Sequence, residues 1–146
     1  MAELQRQSDV RVLDTSSESE TSAAGEALAR RLHPGDVILL YGELGAGKTA
    51  FVRGLARGLG ANADEVSSPT FTLVQEYAAT AATLYHVDLY RLSPPEIDDL
   101  GLDELVGGGG ILAIEWADRW PHRPSGVTEV RLTAISDDSR RIRITR

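Results

Sequence analysis

Apolar residues recur along this chain with two periods, and the alternation between those periods lays out its elements. Val37 to Tyr41 and Ile111 to Ile114 are continuous apolar runs, the pattern of strands buried on both faces. Between Lys48 and Leu59 the spacing changes to that of a helix, with Phe51, Val52, Leu55 and Leu59 on one side and Gly60 as the stop. Upstream, Arg11 to Leu13 reads as a short first strand. Thr15, Ser16 and Ser17 with Glu18 form a Thr-x-x-Glu capping box. The helix it opens carries Ala24, Leu28 and Leu32 on one face and ends before Pro34, where His33 to Asp36 makes a turn.

The second half alternates in the β manner. Phe71 to Tyr77 and Leu84 to Tyr90 read as an antiparallel pair, and Val127 to Ile135 with Arg140 to Thr145 as a hairpin turning at Ser136 to Ser139. Pro94 and Pro95 start a short acidic helix predicted to run to about Val106. These elements predict a single α/β domain over residues 1–146, with a mixed parallel and antiparallel sheet flanked by helices and closed by a C-terminal β-hairpin.

The sharpest chemical signal is Gly42-Glu43-Leu44-Gly45-Ala46-Gly47-Lys48-Thr49, which fits G-x-x-x-x-G-K-[ST] between an apolar strand and an amphipathic helix. A chance match somewhere in a chain of this composition is on the order of one per cent, before that context is counted. The glycines let the loop turn so that Gly45, Ala46 and Gly47 aim backbone N–H groups at phosphate oxygens, and the helix dipole points the same way. Lys48 then reaches the β- and γ-phosphates, and the Thr49 hydroxyl binds Mg²⁺. The fold expected is that of a P-loop NTPase. Of the 15 basic residues, Lys48 is the only lysine. A compact ammonium suits a gap between phosphate oxygens, whereas a planar guanidinium does not. With no second lysine, a guanine-reading Asn/Thr-Lys-x-Asp motif is impossible, so the nucleotide expected is ATP.

Three further places can carry chemistry. Glu115 ends the Ile111 strand where ligands of α/β sheets bind, so it is either a metal-side carboxylate or a surface charge. Trp116 beside it can stack on a base or a partner, or cap the core. In His86-Val87-Asp88-Leu89-Tyr90, the residues His86, Asp88 and Tyr90 share one strand face, and Asp88 is a candidate for holding Mg²⁺ or the attacking water. Ser67, Ser68, Pro69 and Thr70 form either a γ-phosphate sensor or a plain connecting loop.

Composition narrows the setting. There is no cysteine, which removes disulfides and thiolate chemistry. The polar N-terminus has no signal-peptide pattern, and no apolar run is long enough for a bilayer, so a soluble cytoplasmic protein is expected. With a net charge of −7, tight binding to nucleic acid needs a partner to supply the positive surface.

Together, Tyr41 to Thr49, Ser68-Pro69-Thr70-Phe71, His86 to Leu92 and Ile114-Glu115-Trp116 resemble the bacterial TsaE family in order and spacing, from about Thr15 to Trp116. The C-terminal hairpin matches that family only in pattern. The resemblance implies a slow, Mg²⁺-dependent ATPase of tRNA N6-threonylcarbamoyladenosine biosynthesis that acts with the TsaD–TsaB pair and meets tRNA only through that complex. It further implies that Lys48 and Thr49 contact phosphate and Mg²⁺, that Glu115 completes the metal site, and that Asp88 is needed for hydrolysis. Thr70 belongs to a switch-like loop, Trp116 lies beside the nucleotide, and Glu18 and Thr21 border the adenine. A small P-loop kinase and a non-hydrolysing nucleotide-dependent regulator are the rival readings.

Overall fold

β1 (Val10–Thr15) and α1 (Glu18–Ala29) lead into β2 (Val37–Tyr41) and α2 (Lys48–Leu59). β3 (Val74–Tyr77), β4 (Leu84–Asp88), α3 (Pro94–Asp99), α4 (Leu102–Gly107) and β5 (Ile111–Glu115) follow. A 3₁₀ turn at Ala117–Arg119 precedes β6 (Thr128–Ala134) and β7 (Arg140–Thr145). This computed structural model describes residues 9–43, 45–62, 64, 66, 74–121 and 123–146.

Among the described residues the strands form one sheet in the order β1-β7-β6-β2-β5-β4-β3. β2 runs parallel to β5 and β6, and β4 runs parallel to β5. The pairs β1–β7, β6–β7 and β3–β4 are antiparallel. The expected mixed sheet, with a parallel centre and antiparallel flanks, is therefore present. The continuous apolar runs do what their pattern implies. Ile38 and Leu40 face one layer with Ala113, Val130 and Ile142, against Phe51, Val52 and Leu55 of α2. Val37 and Leu39 face the other layer with Leu112, Ile114 and Val87, under Ile97, Leu102 and Trp120. Each fully buried Leu, Ile or Phe contributes about 1.5–3 kcal/mol of hydrophobic stabilisation.

Four local expectations are corrected. β1 extends to Thr15, so Thr15 ends a strand instead of capping a helix. The cap is Ser17, whose Oγ accepts from Glu20 N at 3.1 Å, while the Glu20 carboxylate accepts from Ser16 N at 3.0 Å. The capping pair thus sits two residues later than the Thr15–Glu18 pair. The acidic helix is two helices, because Gly101 takes a left-handed φ of 70° after Asp99. Its start is as expected: Ser93 and Glu96 make a capping box with proline in the first turn. β4 stops at Asp88 instead of Tyr90, since Asp88 Oδ1 accepts from Tyr90 N at 2.9 Å and turns the chain. Tyr90 therefore leaves the row that His86 and Asp88 share. No helix among the described residues is long and apolar enough to cross a membrane.

Candidate nucleotide-binding site

The parallel strands β2, β5 and β4 end at the same edge of the sheet, which brings Tyr41, Glu115 and Asp88 together from distant parts of the chain. The Gly42–Thr49 loop leaves β2 at this edge and runs directly into α2. Gly47 caps that helix at φ 98°, a conformation that side-chain-bearing residues rarely adopt, and offers no side chain to the first turn. The first N–H groups of the twelve-residue helix thus end without a side-chain cap. Ala46 contributes the turn itself: its N–H bonds Glu43 O at 3.0 Å, and its methyl lies in the core.

Lys48 is the hub. Its Nζ donates to Gly42 O at 2.7 Å, lies 3.3 Å from Glu115 Oε1, and stands 5.8 Å from the centre of the Trp116 ring. The other Glu115 oxygen, Oε2, is 2.7 Å from His86 Nε2, and both residues are buried. Burial alone would raise the Glu115 carboxyl. The hydrogen bond and favourable electrostatics from His86, joined by the Lys48 ammonium, outweigh it and hold the group below the ordinary glutamate value. Glu115 is therefore a retained carboxylate inside the fold and not a surface charge at a strand end.

Asp88 lies directly across from Glu115 in the β4–β5 register. Trp116 follows in a left-handed conformation, φ 60°, which is unique among the non-glycine described residues. Trp116 is 41% exposed, and its ring packs on Tyr90 at 4.7 Å between centroids, with Arg119 over the Tyr90 ring at 5.5 Å from its centre. Trp116 does not cap the core; Trp120 fills that role.

A cavity of about 290 Å³ opens beside Lys48, with Gly45, Gly47, Lys48 and Thr49 among its lining residues. Glu18 and Thr21 of α1 form one wall. Thr21 is held there by a 2.8 Å hydrogen bond between its hydroxyl and that of Thr15. Glu18 pairs with Arg53 at 3.2 Å. The third wall comes from the β6–β7 turn, through Asp137, Asp138 and Arg140. Arg140 ties that turn to the loop: Nη2 donates to Gly45 O at 3.0 Å, and Nη1 donates to the carbonyls of Ser136 and Ser139 at 2.8 and 3.0 Å. Sequence reading did not single out these three residues. The signal was a polar turn in a hairpin, and nothing local says that the hairpin folds back onto a loop 95 residues earlier.

Glu18, Thr21, Gly45, Gly47 and Thr49 line the cavity with Lys48, Glu115 and Trp116 lie against Lys48, and Asp88 is paired with Glu115 across the β4–β5 register. Thr70, with the rest of 67–73, lies outside the described residues. The donors near Lys48 suited to a metal are oxygens, the Thr49 hydroxyl and the Glu115 carboxylate, which match a hard cation such as Mg²⁺. Among the described residues no three His, Cys, Asp or Glu side chains gather to hold a metal alone. A cation here would take its remaining ligands from phosphate and water.

A sequence profile described as "Threonylcarbamoyl adenosine biosynthesis protein TsaE" matches residues 15–142. The chain belongs to the TsaE family. A TsaE of a Nostoc species is 46% identical over 125 residues, covering 83% of this chain and 76% of its own. That of Bacillus subtilis is 42% identical over 127 residues, covering 86% and 79%. The crystal structure of Bacillus subtilis YdiB superposes with a TM-score of 0.74 at 33% identity, covering 96% of this chain and 87% of the other. The TsaE match runs beyond Trp116 through most of the hairpin, so Arg140 lies within the matched residues.

Proposed function

We propose that this protein is the ATP-binding and ATP-hydrolysing component of the machinery that makes N6-threonylcarbamoyladenosine in tRNA, working in the cytoplasm with the TsaD–TsaB pair. The observation that carries the reading is Lys48. Its ammonium is held between the Gly42 carbonyl and the Glu115 carboxylate, and its side chain lines the same cavity as Gly45, Gly47 and Thr49.

In this reading the N–H groups at the start of α2 and the Lys48 ammonium hold the phosphates and stabilise charge as the terminal phosphoryl group leaves. Thr49 and Glu115 would hold Mg²⁺, which would offset negative charge on the phosphates. Asp88, one strand over from Glu115, orients the attacking water. Trp116 lies beside the nucleotide, and Thr70 belongs to a loop that responds to it. The Glu18, Thr21 and Arg140 walls take the ribose and adenine end, where carboxylate and hydroxyl oxygens accept hydrogen bonds from the sugar hydroxyls and the exocyclic amine. The net charge of −7 leaves tRNA binding to the partner.

The test is ATP hydrolysis by the purified protein, alone, with candidate small-molecule acceptors and with TsaD–TsaB, together with affinity for that pair under ATP, ADP and no nucleotide. Slow hydrolysis alone, a changed rate with the pair, and tighter association with ATP are expected, because coupling between two binding events is reciprocal. Phosphate transfer to a small acceptor would instead establish a kinase. Binding without hydrolysis, with or without the pair, would establish a regulator.

A further inference from the structure

His86 sits in the middle of β4, fully buried, opposite Ala113 of β5 and Gln75 of β3. Its neighbours on that face, Leu84 and Ala113, belong to the apolar layer under α2. An apolar side chain of similar size would satisfy this position, so the imidazole calls for an explanation. Its Nε2 lies 2.7 Å from Glu115 Oε2. An ionised carboxylate only accepts, so Nε2 is the nitrogen that carries the proton. Nδ1 is buried and has no hydrogen-bond partner among the described residues. Leaving a buried polar atom unpaired costs stability, and such an atom commonly marks a residue kept for something other than packing.

The consequence falls on Glu115. With Oε2 tied to His86, the carboxylate cannot rotate freely, and Oε1 is the oxygen turned toward Lys48, 3.3 Å away. The two oxygens therefore have different tasks: one is anchored inside the sheet, and one faces the loop. Without the anchor, Glu115 would be free to turn, and neither of its oxygens would be held toward the Lys48–Thr49 side. We propose that His86 is a positioning residue: it clamps Glu115 so that a single carboxylate oxygen faces the Lys48–Thr49 side as a ligand for the divalent cation. Partners of this kind, one step removed from the metal, commonly change metal affinity 10–100-fold. This rests on the reading of Glu115 as the cation's carboxylate.

The experiment uses the full chain with ATP, and Mn²⁺ as a paramagnetic probe in place of Mg²⁺. Free and bound Mn²⁺ are separated by electron paramagnetic resonance, ATP affinity in EDTA is read by calorimetry, and folding by thermal melting. His86→Leu keeps the volume and removes the donor; Mn²⁺ affinity of its ATP complex should fall about 10–100-fold while ATP affinity in EDTA is unchanged. His86→Gln places an amide N–H near the Nε2 position and should restore most of the loss. His86→Asn, whose amide is one bond too short to reach Glu115, should behave like His86→Leu and serves in its place if the leucine variant does not fold. Wild-type Mn²⁺ affinity in a folded leucine or asparagine variant overturns the proposal and leaves His86 as packing. Glu115→Gln, run alongside, separates the two readings: if it binds Mn²⁺ like wild type, the assignment of Glu115 fails and the proposal falls with it. A drop in Glu115→Gln with no drop in His86→Leu removes His86 alone.

Discussion

Lys48 illustrates how much one side chain decides here. It is the sole lysine among 15 basic residues, and the structure gives its head two oxygen partners and only 11% exposure. A guanidinium would spread its charge over a plane too wide for the gap between the Gly42 carbonyl and Glu115. Lys48→Ala removes the ammonium but leaves Glu115 its bond to His86, so the fold survives while charge stabilisation at the phosphoryl group is lost. ATP hydrolysis should drop at least about a hundredfold with an unchanged far-ultraviolet circular dichroism spectrum. A folded variant that turns over at the wild-type rate would remove the phosphate-loop assignment. Arginine fails for the same geometric reason, so Lys48→Arg should not rescue.

At the scale of elements, the site depends on how closely α1 lies against α2. Gly54 faces Ser22, and a Cβ added there would meet the Ser22 carbonyl oxygen at 1.8 Å; one added at Gly25 would meet the Phe51 oxygen at 2.1 Å. Glycine inside a helix costs about 1 kcal/mol relative to alanine. Here it permits backbone to approach backbone, which brings Glu18 and Thr21 over the loop and forms one wall of the cavity. Gly54→Ala should therefore destabilise despite its better helix propensity, by about 1–3 kcal/mol. That corresponds to a melting temperature lowered by roughly 2–12 °C for a chain of this size. ATP affinity should fall with it as α1 is pushed outward. A variant that melts higher than wild type would mean that the contact is slack. The capping shift from Thr15 to Ser17 belongs to the same scale, because Thr15 is drawn into β1 and spends its hydroxyl on Thr21.

At the scale of the whole molecule, the chain closes on itself twice. Asp9 and Arg146 exchange backbone hydrogen bonds of 3.3 and 3.0 Å at the outer strand, so both ends of the described chain meet at the sheet's edge. The hairpin then brings Arg140 back to Gly45. Arg140→Ala should leave the hairpin turn and the loop less firmly joined, at a cost of about 1 kcal/mol for the lost hydrogen bonds. The expected melting temperature falls by roughly 2–4 °C. ATP affinity should weaken more than hydrolysis at saturating ATP, since the guanidinium lines the cavity and makes no bond to Glu115, His86 or Lys48 among the described contacts. Unchanged affinity and melting together would show the link to be incidental.

What the sequence by itself determined was whatever a short stretch can express: the bounds of β2 and α2, the glycine-rich segment between them, and the hairpin. Each follows from periodicity or backbone freedom within a dozen residues, so no distant contact was needed. The break at Gly101 and the stop of β4 at Asp88 escaped, because a glycine and a side-chain acceptor there compete with a pattern that continues past them. Only the tertiary structure decided the partnership of His86 with Glu115, 29 residues apart, and of Arg140 with Gly45, 95 apart. The first depends on β4 and β5 pairing in parallel, with Asp88 opposite Glu115. The second depends on β6 lying next to β2. Strand order and register are set by the sum of packing across the whole sheet, so no local pattern encodes which distant polar groups will meet at its edge.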